Sequence, residues 1–249
     1  MSKVLERMVA NRIGWYLEHN KLLNSIQAGF RKNHSTVDHP MRLKTEIENA
    51  LKSGNITVGV FLDFSRAFDR VWIDSLLMKT MALGIEGHCL KYIENFLNGR
   101  TAQVVLKGDR SDIYSSDNGT PQECVLSPLL FLIFINDFPA LSPHSSSALF
   151  ADDSSIWRSG SNIHQITFHL QQDLHKIEKW CNDWGFKINT AKSYIVIFTK
   201  KKNITTELII NKKPIAVKKN GHLPGVHLRF QAYMGTSHWK YSCSMQKKT

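Results

Sequence analysis

Two apolar runs that each close on aspartate constrain this chain more than any other feature. ITVGVFLDF (56–64) is short, rich in β-branched residues and preceded by Gly54, which predicts a buried strand ending at Asp63. ALFADDSSIW (148–157) sets Asp152 and Asp153 side by side in a similar run. Like charges at neighbouring positions repel, and burying either without a partner is costly. On a flat strand the two side chains would point to opposite faces. The run is therefore expected to be strand, turn, strand. A solvated hairpin tip would satisfy that pattern, since Asp and Ser are good turn formers. A cation held between the carboxylates would satisfy it too.

The charge balance bears on that choice. Among 249 residues, 32 Lys+Arg stand against 21 Asp+Glu, a formal net charge of +11. Such an excess suits a polyanionic partner, nucleic acid or an anionic membrane surface. The membrane option lacks support: VLSPLLFLIFINDF (125–138) is too short to span a bilayer and carries Pro128 and Asp137. The first twenty residues have no signal-peptide core. An intracellular location, nucleus or cytoplasm rather than secretion, is expected. Cys89, Cys124, Cys181 and Cys243 are scattered, without CxxC or zinc-ligand spacing, and read as reduced thiols. Lysine runs at 200–202, 212–213, 218–219 and 247–248 suit either a solvated surface or a nucleic-acid contact.

No repeat or low-complexity linker divides the chain. Residues 3–19 carry an apolar stripe at helical spacing (Val4, Leu5, Met8, Val9, Ile13, Leu17). QAGFRKNHST (27–36) reads as an exposed basic loop or hairpin. Asp38 and Pro40 open a helix that Gly54 closes, and further helices are predicted near 73–83 and 88–98. Residues 101–119 have the alternation and central glycine of a β-hairpin. Ser127 and Pro128 read as N-cap and first residue of a helix apolar nearly all round, hence buried. Ile163, Ile166, Leu170, Leu174, Ile177, Cys181 and Trp184 step by three or four, and SYIVIFT (193–199) is another strand. This alternation predicts an α+β fold with helices packed on one face of an antiparallel sheet.

Two apolar strands ending in carboxylate are what a two-metal site requires. Mg²⁺ prefers oxygen ligands, one or two carboxylates plus substrate phosphates. A pair of such ions can activate a hydroxyl and stabilise a departing pyrophosphate. The basic balance of the chain then fits a nucleic-acid template and primer.

Five stretches carry a family likeness: LLNSIQAGFRKNHST (22–36), FLDFSRAFDRV (61–71), GTPQECVLSPLLFLIFINDF (119–138), LFADDSSIW (149–157) and WGFKINTAKSYIVIF (184–198). In order and spacing the chain resembles the reverse transcriptase of non-LTR (LINE-type) retrotransposons, especially jockey-like elements, from about residue 1 to 200. The resemblance implies a right-hand polymerase. Partial fingers would occupy 1–55, and the palm 56–200 with inserted fingers elements at about 73–118. The start of a truncated, divergent thumb would follow at 201–249. It implies RNA-directed DNA synthesis from dNTPs on an RNA template with a DNA primer, using two Mg²⁺ ions for which Mn²⁺ could substitute. No membrane partner is implied, and protein partners are left open. By this likeness Asp63, Asp152 and Asp153 would bind metal, with the Phe64 carbonyl as a further ligand. Phe68 would lie under the incoming sugar, Gln122 would touch the nucleotide, and Arg31 its triphosphate. Lys192 would protonate the leaving pyrophosphate. Asp69 and Asn189 look structural.

The chain also departs from the family pattern. Glu123 and Cys124 follow Pro121-Gln122 where glycine and serine are usual, and Phe150 stands in place of tyrosine. Only glycine would let the backbone approach a nucleotide without steric conflict. Glu123 also adds a negative charge that opposes triphosphate binding, so weak or absent activity is expected. An upstream fingers strand is expected to be missing. GHLPGVHL (221–228) only partly matches a primer-grip sequence, and both ends look cut. Two alternatives stay open. One is a catalytically degenerate retrotransposon relic that binds nucleic acid by charge. The other is an RNA-dependent RNA polymerase-like enzyme, suggested by the spacing of Asp63 and Asp69 but opposed by ADD in place of GDD.

Overall fold

The run ending at Asp63 forms the central strand of a five-stranded sheet. The structure is a computed structural model describing residues 2–32, 34–35 and 37–218. The primer-grip-like stretch, Cys243 and most of the expected thumb lie outside the described residues. Helices are α1 (Ser2–His19), α2 (Asp38–Lys52), α3 (Ile73–Ala82), α4 (Gly87–Leu97), α5 (Ser127–Phe134) and α6 (Ile163–Asp183). The longer strands are β1 (Ile56–Asp63), β6 (Ser145–Phe150), β7 (Asp153–Gly160) and β8 (Tyr194–Phe198). Shorter ones are β2 (Thr101–Ala102), β3 (Val105–Leu106), β4 (Asp109–Arg110), β5 (Tyr114–Ser115), β9 (Ile209–Ile210), β10 (Lys213–Pro214) and β11 (Ala216–Lys218). The chain divides into two units, 1–24 with 66–138 and 182–186, and 25–65 with 139–181 and 187–249.

The second unit holds the main sheet, in the order β11-β8-β1-β7-β6. Neighbours run antiparallel except β11, which is parallel to β8. Every residue of β1 from Ile56 to Leu62 is buried. That explains why this strand reads as a continuous apolar run rather than an alternating one. Helices cover both faces of the sheet rather than the single face expected. Leu43 and Ile47 of α2 pack with Phe61, Ala148, Trp157, Val196 and Phe198. Trp157 Nε1 donates to Glu46 of the same helix at 2.6 Å. On the other face lies α6, whose Trp180 ring stands 6.3 Å from that of Phe64. Its apolar steps Ile166, Leu170, Leu174, Ile177 and Cys181 are all buried.

The first unit is built on α5, where Leu130, Phe131, Leu132, Ile133 and Phe134 are no more than 1% exposed. Ser127 is the first residue of that helix rather than its cap; its hydroxyl donates instead to the Pro121 carbonyl. The helix end is capped from a distance, with Glu6 Oε1 accepting the Leu126 amide at 2.9 Å. A carboxylate there also suits the positive end of the helix dipole. This cap corrects the stripe expected on α1. Glu6 turns inward and is 3% exposed, while Val4, Leu5 and Met8 face outward and only Ile13 and Leu17 are buried. The hairpin expected over 101–119 is broken into two ladders, β2 with β5 and β3 with β4, and nearly all of it is exposed. With no core face to pack, its register rests on the turn around Gly108 (φ +97) and on cross-arm bonds such as the Ser111 amide to the Val104 carbonyl and the Ser116 amide to the Arg100 carbonyl, 2.9 Å each.

Candidate active site

Strand pairing brings the two acidic segments together. In the register of β1 with β7, Asp63 lies directly opposite Asp153. The Asp63 carbonyl accepts the Asn189 amide at 2.8 Å, and its own amide donates to Ser193 Oγ at 3.2 Å. Both backbone groups of Asp63 therefore face the β8 side, so Asp63 and Asp153 form a non-hydrogen-bonded pair. Such pairs bring Cα atoms to about 4.5 Å and set the side chains closest together. Both side chains share the sheet face of Phe61 and Trp157, by the alternation of β1 and β7.

Asp152 sits in the two-residue loop between Phe150 and Asp153, which pair across the hairpin. The first loop residue, Ala151, has φ +55, the backbone of the primed turns that match strand twist. The turn expected from the sequence is thus present. It frees Asp152 from strand alternation, so neighbouring carboxylates need not point to opposite faces. Burial, followed by the negative charges of Asp152 and Asp63, pushes the Asp153 carboxyl up to about 7. The site concentrates negative charge faster than it supplies positive charge.

This donor set fits a hard divalent cation: two carboxylates on adjacent strands and a third in the adjoining turn, with Asp153 holding its proton unusually tightly because it is buried and lies near the other two. Among the described residues no three His, Cys, Asp or Glu side chains already stand as a ligating group. Convergence would be a response to the ion. Phe64 contributes a backbone position. The Ser65 amide bonds to the Lys187 carbonyl, and Asn189 to Asp63, at 2.8 Å each. By alternation the Phe64 carbonyl is turned to the opposite side, that of β7 and the Ala151–Asp152 turn.

The other expected site residues divide between the units. Arg31 is in the second, half-buried, with Nη1 donating to the Gln27 carbonyl at 3.1 Å. Lys192 is exposed in the turn before β8, its amide bonded to the Asn189 carbonyl. Phe68 and Gln122 are in the first unit. The Phe68 ring stacks on Phe131 at 4.3 Å between centroids, and Gln122 donates to Asp69 Oδ1 at 3.2 Å. Glu123 takes φ +58, a left-handed backbone that favours glycine, and its carbonyl accepts from Lys3 Nζ at 3.0 Å.

Three supporting residues carried no assigned role in the sequence. Ser193 is 1% exposed and links the Asp63 amide to the Asn189 carbonyl. Gln27 and Gly29 are buried against the acidic turn, which corrects the first three residues of the exposed loop expected at 27–36; of its other described residues, Phe30, Lys32, His34 and Ser35 are exposed and Arg31 is half-buried. The segment adds itself to the sheet edge instead: Ala28 donates to the Leu149 carbonyl at 3.0 Å and Leu149 to Ile26 at 2.8 Å. Its polar composition conceals this, because backbone bonds rather than apolar side chains hold it there.

Comparison with known proteins agrees with this architecture. Residues 1–228 match the family described as reverse transcriptase (RNA-dependent DNA polymerase). The chain is 31% identical over 208 residues to the RNA-directed DNA polymerase from mobile element jockey of Drosophila melanogaster, covering 81% of this chain but 23% of that protein. It is 29% identical over 261 residues to the probable RNA-directed DNA polymerase from transposon X-element of the same fly, covering 97% of this chain and 29% of that protein. Apo telomerase from Candida tropicalis shares the fold, with a TM-score of 0.60 at 14% identity over 87% of this chain and 40% of that one. The chain belongs to the reverse transcriptase (RNA-dependent DNA polymerase) family.

Proposed function

We propose that this chain carries the nucleotidyl-transfer centre of an RNA-directed DNA polymerase of a non-LTR retrotransposon. The observation that carries the reading is Asp63 standing opposite Asp153, with Asp152 in the adjoining turn. Asp63, Asp152 and Asp153, with the Phe64 carbonyl, would hold divalent ions. Such ions, when bound, lower the pKa of the primer 3′-hydroxyl and neutralise charge on the leaving pyrophosphate. The chain's own part is position. Adjacent strands set the backbones of Asp63 and Asp153 side by side, so that their carboxylates could close on an ion and orient the reacting groups, and the Asn189–Ser193 turn holds the backbone of Asp63. Arg31 would contact the triphosphate as a planar fork. Lys192 would hold a proton for the departing pyrophosphate. Phe68, backed by Phe131, offers a flat apolar surface for a sugar, and Gln122 an amide for the nucleotide.

Primer extension tests this. The chain is given an RNA template, a DNA primer, dNTPs and Mg²⁺ or Mn²⁺, beside Asp152→Asn. Extension by the first and not the second supports the reading; equal extension by both contradicts it. One observation favours a second reading, a degenerate domain that binds nucleic acid by charge: Glu123 occupies a backbone conformation suited to glycine. Background extension together with binding that weakens steeply as salt rises would favour that reading.

A further inference from the structure

Gln27 is a polar side chain only 3% exposed, and all of its amide bonds are made to the backbone of its own segment and of the acidic turn. Its Oε1 accepts the Gly29 amide at 2.7 Å and the Ala151 amide at 3.2 Å. Its Nε2 donates to the Ala151 carbonyl at 3.3 Å. Both backbone groups of Ala151, the loop residue with positive φ, are thus held by one side chain. Gly29 lies against the same loop: a Cβ there would meet the Ala151 nitrogen at 2.3 Å and the Phe150 carbonyl carbon at 3.1 Å. Only glycine lets the segment come that close.

We propose that Gln27 is a positioning residue, whose amide fixes the Ala151–Asp152 loop and thereby sets Asp152 and Asp153 against Asp63, with Gly29 giving it the necessary approach. Its consequence for metal binding rests on the polymerase reading; the brace itself does not. Asp153 is held by its ladder pairs, but a two-residue loop has no ladder bonds of its own to hold its middle, so loss of the Gln27 bonds would loosen the Ala151–Asp152 backbone. Residues that orient ligands from behind commonly change metal affinity by about 10- to 100-fold when removed.

The test uses Mn²⁺ binding by the whole chain, with folding followed by circular dichroism. Gln27→Met keeps volume and removes every amide bond, and Gly29→Ala pushes the segment off the loop. Ser142→Ala is a control, since it damages a different buried contact of the second unit, to Asp173. Gln27→Met and Gly29→Ala should each weaken Mn²⁺ binding by about 10- to 100-fold, with Ser142→Ala unchanged. Amide exchange at Ala151 provides a readout without metal. It should be slow in the parent chain and rise to the rate of an open turn in Gln27→Met. Fast exchange at Ala151 in the parent chain, or a folded Gln27→Met that binds Mn²⁺ as tightly as the parent, overturns the proposal. If the parent chain binds no Mn²⁺ the metal reading fails, and the brace is still decided. Ala151 exchange that accelerates in Gln27→Met upholds it, and exchange that does not change overturns it.

Discussion

Ala151 and Glu123 are both non-glycine residues at positive φ in turns, and they are held very differently. Ala151 (φ +55) is buried, clamped at both backbone groups by Gln27 and flanked by ladder pairs of β6 and β7. Glu123 (φ +58) is exposed and is reached by Lys3 Nζ at its carbonyl, ahead of the α5 cap made by Glu6. A left-handed residue with a Cβ costs on the order of 1–2 kcal/mol in either place. In the first turn the surrounding bonds over-determine the conformation, and the small alanine methyl is tolerated. In the second the side chain is long and charged, on a left-handed backbone that favours glycine. Local strain is compatible with a working site when neighbouring structure enforces it.

The largest expected effect concerns the acidic turn. The Asp153 carboxyl is raised above its unfolded value to about 7, by burial and then by Asp152 and Asp63. The folded chain therefore binds more protons than the unfolded chain between about pH 4 and pH 7, and its stability falls as pH rises through that window. Asp153→Asn cannot ionise. In metal-free buffer it should exceed the parent at pH 8 by up to about 4 kcal/mol, with no difference near pH 4. Urea melts across pH measure this, and a constant gap would break the account of the turn. Divalent cation at pH 8 should narrow the gap by stabilising the parent alone.

Much of this site was legible from sequence. β1, the Asp152–Asp153 turn and α6 follow from apolar period and from where that period stops. The features that did not show share one property: a polar group satisfied by a distant backbone. Glu6 in the stripe of α1 is buried for the Leu126 amide, and Gln27 in a basic loop is buried for Ala151. Asp173 on α6 is buried for Ser142. Hydrophobic patterning marks such residues as surface, because nothing local reveals the group that needs them. The hairpin at 101–119 was legible from its alternation and central glycine, since its two arms pair antiparallel; what the pattern did not reveal is that its ladder is interrupted and nearly all exposed.

Smaller effects sharpen the contrast. Glu123→Gly relieves the left-handed backbone and should stabilise the chain by about 1 kcal/mol in thermal melts. In the proposed function it should also raise primer extension; unchanged extension would remove Glu123 as a cause of weak activity. Ala151→Gly relieves a similar strain but loses a buried methyl worth about 0.8 kcal/mol, so its net effect should be close to zero. A gain equal to that of Glu123→Gly would show the two turns to be equivalent. Gln122→Ala breaks one exposed hydrogen bond to Asp69 and should shift stability by less than about 0.5 kcal/mol. Any effect it has should appear as a raised KM for dNTP.

The most direct measurement follows the side-chain carboxyl ¹³C resonances of the whole chain as Mn²⁺ is added. Asp63, Asp152 and Asp153 should broaden together, at the lowest additions and ahead of exposed acids such as Asp109 and Asp112. Broadening spread over those surface acids, with Asp63 and Asp153 left sharp, would contradict the claim that the two strands meet to share an ion.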